Sequence, residues 1–161
     1  MTLTEIITQR RNVKEFKADP VDFEQIKAML QTATMAPNHK MTEPWEILVI
    51  GEETRQKLNH KPNFGNAPLV LAFLSLRGQN AIEREENLMT SSCFVQNFLL
   101  LAHEQGIATR WASLGMQPAN REIMGVSDDY DVIGVFGIGY PVEWPEAKPR
   151  TAIEEKIRFS S

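Results

Sequence analysis

The sequence predicts a mixed α/β domain, and three features carry that prediction. Leu69–Leu76 is an apolar run of strand length, residues 85–105 have the length and apolar content of a helix closed by Gly106, and helix-start signals alternate with strand-like runs elsewhere. The 161 residues, 42% hydrophobic and 24% charged, suffice for one well-buried core and are too few for two ordinary domains. One domain over residues 1–161 is expected.

The first helix opens on a capping box, Thr2 with Glu5, and runs through Ile6 and Ile7 to end at the basic pair Arg10-Arg11. A second starts at Asp22, where Gln25 completes a similar box, and carries Phe23, Ile26, Met29, Leu30 and Ala33 on its buried face until Pro37. Trp45–Ile50 reads as a strand, and Gly51-Glu52-Glu53 opens a short helix to about Leu58. Residues 59–66 are polar and read as a loop. The Leu69–Leu76 run follows Pro68, and its unbroken apolarity predicts burial on both faces at the centre of a sheet. The helix over 85–105, with Met89, Phe94, Phe98, Leu101 and Ala102, is expected in the core. Then come a strand near 109–113, a short helix after Pro118, and a strand over 132–138 ended by Gly139-Tyr140-Pro141. The tail, 142–161, is polar and proline-bearing, cannot build a core alone, and is expected to pack on a partner surface.

A formal net charge of −4 gives no overall basic field, so nucleic-acid binding is not expected. The single cysteine, Cys93, excludes an intramolecular disulfide framework, and the opening residues lack the apolar stretch of a secretory signal. The apolar concentration over 93–102 is broken by Gln96 and Asn97 and falls short of the roughly 20 residues that span a bilayer. A cytoplasmic protein without membrane attachment is the expectation.

His39, His60 and His103 fall in three separate elements and Cys93 has no ligand at finger-like spacing, so no metal site is expected. No serine stands in a nucleophile elbow, and Cys93 reads as a small core residue. Gly134, Gly137 and Gly139 lie within or at the end of a strand, where close backbone approach explains them better than a dinucleotide loop. Arg10-Arg11-Asn12-Val13-Lys14-Glu15-Phe16 gathers three cations and an amide at a helix exit. That cluster can grip a phosphate monoester, or simply complement the helix dipole.

This last segment resembles the Arg-Arg-Ser-x-Arg-x-Phe opening of the nitroreductase family. Ala36-Pro37-Asn38-His39-Lys40-Met41-Thr42-Glu43-Pro44-Trp45 resembles that family's Ala-Pro-Ser-x-x-Asn-x-Gln-Pro-Trp signature, and more closely the Ala-Pro-Asp-His-Lys form of its short bacterial branch. Ala67-Pro68, Trp111-Ala112-Ser113, Gly137-Ile138-Gly139-Tyr140-Pro141 and Lys148-Pro149-Arg150 are similar to later family landmarks, in the right order. The resemblance implies an α+β fold, with a central, mainly antiparallel sheet flanked by helices, in an intertwined homodimer with FMN at the interface. It implies that Arg10, Arg11, Asn12 and Lys14 contact the FMN phosphate, ribityl chain and pyrimidine edge. It further implies that Pro37, Asn38 and His39 come from the other subunit, that Trp111, Ala112 and Ser113 line the isoalloxazine, and that Lys148 and Arg150 complete the phosphate site. The implied activity is ping-pong: NADH or NADPH reduces the flavin, and a nitroaromatic, quinone or similar small-molecule acceptor takes two electrons. The flavin carries such chemistry itself, so no catalytic side chain is required.

Three positions depart from the pattern. Asn12 replaces Ser, Met41 stands where many members have Asn, and Glu43 replaces Gln before Pro-Trp. A carboxylate beside a reduced, anionic flavin would disfavour that charge. The departures leave open a second reading, a non-enzymatic flavin-binding or regulatory module of the same fold.

Overall fold

In the computed structural model, which describes residues 1–160, the chain begins with α1 (Leu3–Gln9). Its capping box closes as expected: Glu5 N–H donates to Thr2 Oγ1 at 3.3 Å, and Thr2 N–H donates to the Glu5 carboxylate at 2.6 Å. The next helix, α2 (Phe23–Ala33), is capped by the Asp22 carboxylate, which accepts from Glu24 N–H at 2.9 Å. The second capping box does not form, because the Gln25 amide reaches across to Gln105 instead. α2 also stops short of Pro37: residues 34–36 tighten into i→i+3 turns, and Ala36, preceding proline, is disfavoured in the helical region. Ile26, Met29 and Ala33 are buried as predicted, whereas Phe23 in the first turn is 41% exposed.

The edge strand β1 (Trp45–Val49) leads to α3 (Glu52–Leu58), which ends at Asn59 in the left-handed region. The expected loop over 59–66 contains one turn, α4 (Asn63–Asn66), broken by left-handed Phe64 and Gly65. β2 (Leu69–Leu76) has the predicted bounds. The long helix, α5 (Ala81–Glu104), starts four residues earlier than the expected Glu85. Asn80 caps it by accepting from Glu83 N–H at 3.0 Å, and the Glu83 carboxylate accepts from Gln79 N–H at 2.7 Å. At its other end Gly106, at φ +70°, donates its N–H to the His103 carbonyl. Then follow β3 (Ala108–Ala112), α6 (Pro118–Met124) and β4 (Tyr130–Gly139).

The four strands form one antiparallel sheet in the order β1-β2-β4-β3, with pairs such as Phe73 opposite Gly134 and Arg110 opposite Gly137. β2 is internal and covered on both faces, which is why it reads as an unbroken apolar run. Leu69, Leu71 and Phe73 meet α2 and α5, where Phe73 touches Phe94, Phe98 and Phe136 at ring separations of 6.0, 5.4 and 5.2 Å. Val70, Ala72 and Leu74 face a second core with Val13, Phe16, Phe64 and Val135. This α+β architecture is the one the resemblance implies.

Two residues expected inside lie outside. Cys93 is exposed and Met89 is 62% exposed, because with Ile82, Gln96 and Leu100 they fall on the face of α5 turned away from the sheet. Among the described residues no helix is long and apolar enough to cross a membrane. Beyond β4 the tail runs exposed to residue 160, with one 3-10 turn at Ile153–Lys156.

Candidate functional site

After α1 the chain does not wander. Arg10 ends the helix with extended backbone (ψ 133°), and residues 12–17 are stitched to the sheet beside β3. Val13 N–H donates to the Thr109 carbonyl at 3.1 Å, Phe16 N–H to Gly65 at 2.8 Å, and Lys17 N–H to Tyr140 at 2.8 Å. Val13 and Phe16 plug into the core at 1% and 3% exposure. Their burial anchors the segment and leaves Arg10, Arg11, Asn12 and Lys14 facing outward or half-buried.

One end of the site is knitted together by polar contacts. The Asn12 side-chain carbonyl accepts from Trp111 N–H at 2.7 Å, linking the N-terminal segment to β3. An open cleft of about 530 Å³ is lined by Asn12, Lys14, His60, Arg110, Trp111–Leu114 and Gln117, so it unites two groups of sequence-predicted residues. Trp111 projects into it with 45% exposure, its ring tilted over Phe136 at 4.9 Å. Gly134 makes this possible, since a Cβ there would collide with the indole nitrogen of Trp111. Ala112 is buried, and Ser113 is exposed at the start of a 3-10 turn.

Sequence reasoning missed two members of this end. The Arg110 guanidinium donates to the Lys14 carbonyl at 2.8 Å and so fixes the backbone beneath Lys14. His60 packs on Phe64, and burial, then Arg110 and Lys61, hold its imidazole below the ordinary value. The signal for Arg110 was a lone charge in a strand otherwise suited to burial; nothing pointed to His60.

The other end is cationic. Burial, then the charges of Arg11 and Arg150, lower the pKa of Arg10. Arg11 Nη1 donates to the Thr8 carbonyl at 2.6 Å and to the Arg10 carbonyl at 3.0 Å, but its Nε is buried without a partner. Arg150 donates to the Lys148 and Pro149 carbonyls at 3.0 and 3.2 Å, and the Lys148 side chain is exposed. Guanidinium groups with an unmet buried N–H could hold a phosphate monoester.

Pro37, Asn38 and His39 do not line the cleft with these residues; their loop leads into β1, at the edge of the sheet opposite β3. Asn38 Oδ1 accepts from Thr42 Oγ1 at 3.2 Å and Glu43 N–H at 3.3 Å, while its Nδ2 is buried and unpaired. Lys40, Met41 and Glu43 all have positive φ, a strained conformation for side-chain-bearing residues. Two of the three departures from the motif, Met41 and Glu43, thus sit in a strained, exposed loop; the third, Asn12, supplies the contact to Trp111.

The nitroreductase family model matches residues 7–63 and 55–140. A Bacillus subtilis protein named "Putative NAD(P)H nitroreductase YfhC" is 32% identical, across 96% of this chain and 92% of its own. The crystal structure of a nitroreductase-like family protein from Bacillus cereus superposes with a TM-score of 0.89 at 31% identity, covering 99% of this chain and 96% of its own. An NADPH:FMN oxidoreductase from Vibrio harveyi, complexed with NAD+, superposes at 0.88 with 20% identity, covering 99% of this chain and 77% of that one. At that identity the likeness is one of fold.

Proposed function

This chain belongs to the nitroreductase family, and on that premise we propose that it is a single-domain, FMN-dependent NAD(P)H oxidoreductase working as a homodimer. The observation that carries the reading is the open cleft that unites Asn12, Lys14 and Trp111–Ser113, continued along the chain by Arg10 and Arg11 with a buried unpaired Arg11 Nε. Arg10, Arg11, Lys148 and Arg150 hold the phosphate. Asn12 and Lys14 meet the ribityl chain and the polar edge of the ring, and Trp111, Ala112 and Ser113 line its face. FMN, when bound, supplies the redox chemistry, accepting a hydride equivalent from NADH or NADPH and then passing two electrons to a nitroaromatic, quinone or similar acceptor in a ping-pong cycle. The chain's own part is to bind, orient and tune: Lys14 places a cation at the ring's polar edge, and Trp111 shields one side from water.

The dimer is supported by what one chain leaves uncovered. Leu3, Ile7, Met35 and Met89, on or beside α1, α2 and α5, are 53–83% exposed. A cleft of about 320 Å³ lies between these helices, lined by Leu3, Ile6, Met35 and Leu101 among others. The tail carries Ile153, Ile157 and Phe159 at 64%, 54% and 96% exposure, apolar groups suited to a second subunit's surface. A partner's loop supplies Pro37, Asn38 and His39, which in the same chain lie outside the cleft.

The test is to purify the protein without added cofactor, record its visible spectrum, identify any released flavin, and measure its mass by light scattering. Retained FMN bleached by anaerobic NADH or NADPH, on a particle of twice the chain mass, is the expected result. A chain that holds no FMN even after supplementation sinks the reading and returns the non-enzymatic alternative.

A further inference from the structure

His103 is the one side chain among the described residues with two buried nitrogens that both lack a partner, Nδ1 and Nε2. It lies in the last turn of α5 and is 7% exposed. A neutral imidazole offers one donor and one acceptor, and an interior position that satisfies neither is costly unless something else meets them. By helical phase His103 follows Gln96 and Leu100 on the side of α5 turned away from Phe94 and Phe98, so the sheet-facing core does not account for a polar ring buried here.

The surroundings indicate what His103 is for. Burial is the first cause of its lowered pKa, and the charges of Arg10 and Arg11 are the next. The Trp144 ring, from the tail, packs against it at 4.8 Å and nearly perpendicular, at 88°. Glu104, its neighbour on the helix, is exposed. The end of α5 packs beside α1, where Leu3 and Ile6 share a cleft with Leu101 and Glu104, so the ring, the indole against it and the Arg10-Arg11 pair that closes α1, with its orphaned Arg11 Nε, lie at one corner of the molecule. An oxyanion completes such a corner: it accepts from the imidazole and from Arg11 Nε, and it offsets the mutual repulsion of the guanidinium groups.

We propose that His103 is a further contact of the flavin phosphate, donating a ring N–H to a phosphate oxygen beside Arg10 and Arg11, with Trp144, carried on the exposed tail, shifting to admit it. The inference rests on the FMN reading above and adds to it a residue that selects the phosphorylated flavin. Because the contact is to the phosphate alone, replacing His103 affects FMN and spares riboflavin, which has the same ring and ribityl chain.

Binding of FMN and riboflavin to the wild type, His103→Phe and His103→Gln is measured by flavin fluorescence quenching, with thermal melts to confirm folding. His103→Phe weakens FMN about ten-fold and leaves riboflavin unchanged. His103→Gln, whose amide keeps an N–H donor, recovers part of the loss. In the wild type, NMR signals of the His103 ring shift on addition of FMN or inorganic phosphate and not of riboflavin. Equal loss of both flavins in the variants makes His103 a packing residue and overturns the proposal, as does an FMN preference that survives both substitutions with no phosphate-dependent shift. A wild type that binds neither flavin overturns the functional reading itself, and this inference with it.

Discussion

The two ends of the Arg10–Phe16 segment are held in opposite ways. At the Lys14 end, the backbone is bonded to Gly65 and Thr109, the Asn12 amide carbonyl is bonded to Trp111, and Arg110 clamps the Lys14 carbonyl. At the Arg10 end, the charges of Arg11 and Arg150 lower the pKa of Arg10, and Arg11 and His103 bury nitrogens without a partner among the described residues. The first end is rigid before anything binds and is built for shape. The second carries like charges that a bound anion, on the proposed function, would offset. On the proposed function, a site divided this way would position a ring with the sheet and recognise a charge with side chains that gain partners on binding.

The sharpest way to break this contrast is at Gly65. It has φ +75°, and a Cβ there would run into the Lys14 carbonyl and press on the Arg110 guanidinium. Gly65→Ala therefore combines left-handed strain with a clash against backbone, and is expected to cost about 3 kcal/mol of stability, read as a lowered urea midpoint. A Gly65→Ala protein as stable as the wild type would show that the Lys14 end is soft.

At the other end the sign reverses. If Arg10 holds the phosphate as proposed, Arg10→Ala removes a charged hydrogen bond and is expected to cost about 1.5–3 kcal/mol, or ten-fold and more in FMN affinity. Without flavin the same substitution leaves stability unchanged or raised, since it takes one cation away from Arg11 and Arg150. Calorimetry of the variant with and without FMN checks both halves, and unaltered FMN binding removes Arg10 from the site.

Asn12→Ala probes the rigid end more gently. It leaves Trp111 N–H without its acceptor, at an expected cost of about 1 kcal/mol, while Asn12→Asp keeps the acceptor and most of the stability. Equal urea midpoints for the two variants would mean that water replaces the Asn12 contact.

How much of this was legible in the chain follows from where the information lies. The bounds of β2 were readable because the apolar run ends at Pro68 on one side and at polar residues on the other, and both faces demand apolar side chains. The start of α5 was not, because the Asn80–Glu83 cap sits in polar residues that read equally as loop. Cys93 was misplaced because composition, rather than helical phase, was used to place it in the core. At the site, the residues in contiguous motifs were visible, and the structure unites Asn12, Lys14 and Trp111–Ser113 in one cleft. Arg110 and His60, which also line the cleft, were not visible, since each meets partners that only the fold brings near, Lys14 for Arg110 and Phe64 for His60.

Acid provides the smallest and most selective test of the contrast, because one histidine lies at each end. His60 and His103 both have folded pKa values below their ordinary 6.5, each with burial as the leading cause. The native state therefore binds fewer protons than the unfolded chain just below pH 6.5. Stability contributed by the neutral rings is complete above pH 6.5 and is lost as pH falls from there through the lowered folded values. FMN or inorganic phosphate at the Arg10 end raises the pKa of His103 by supplying a negative partner, and leaves His60 where it was. Urea unfolding between pH 7 and 5 is thus expected to show a decline in stability that phosphate partly restores, and His103→Gln removes the restored part while His60→Gln does not. If phosphate restores the same fraction in both variants, the anion acts elsewhere and the two ends are not distinguished by their histidines.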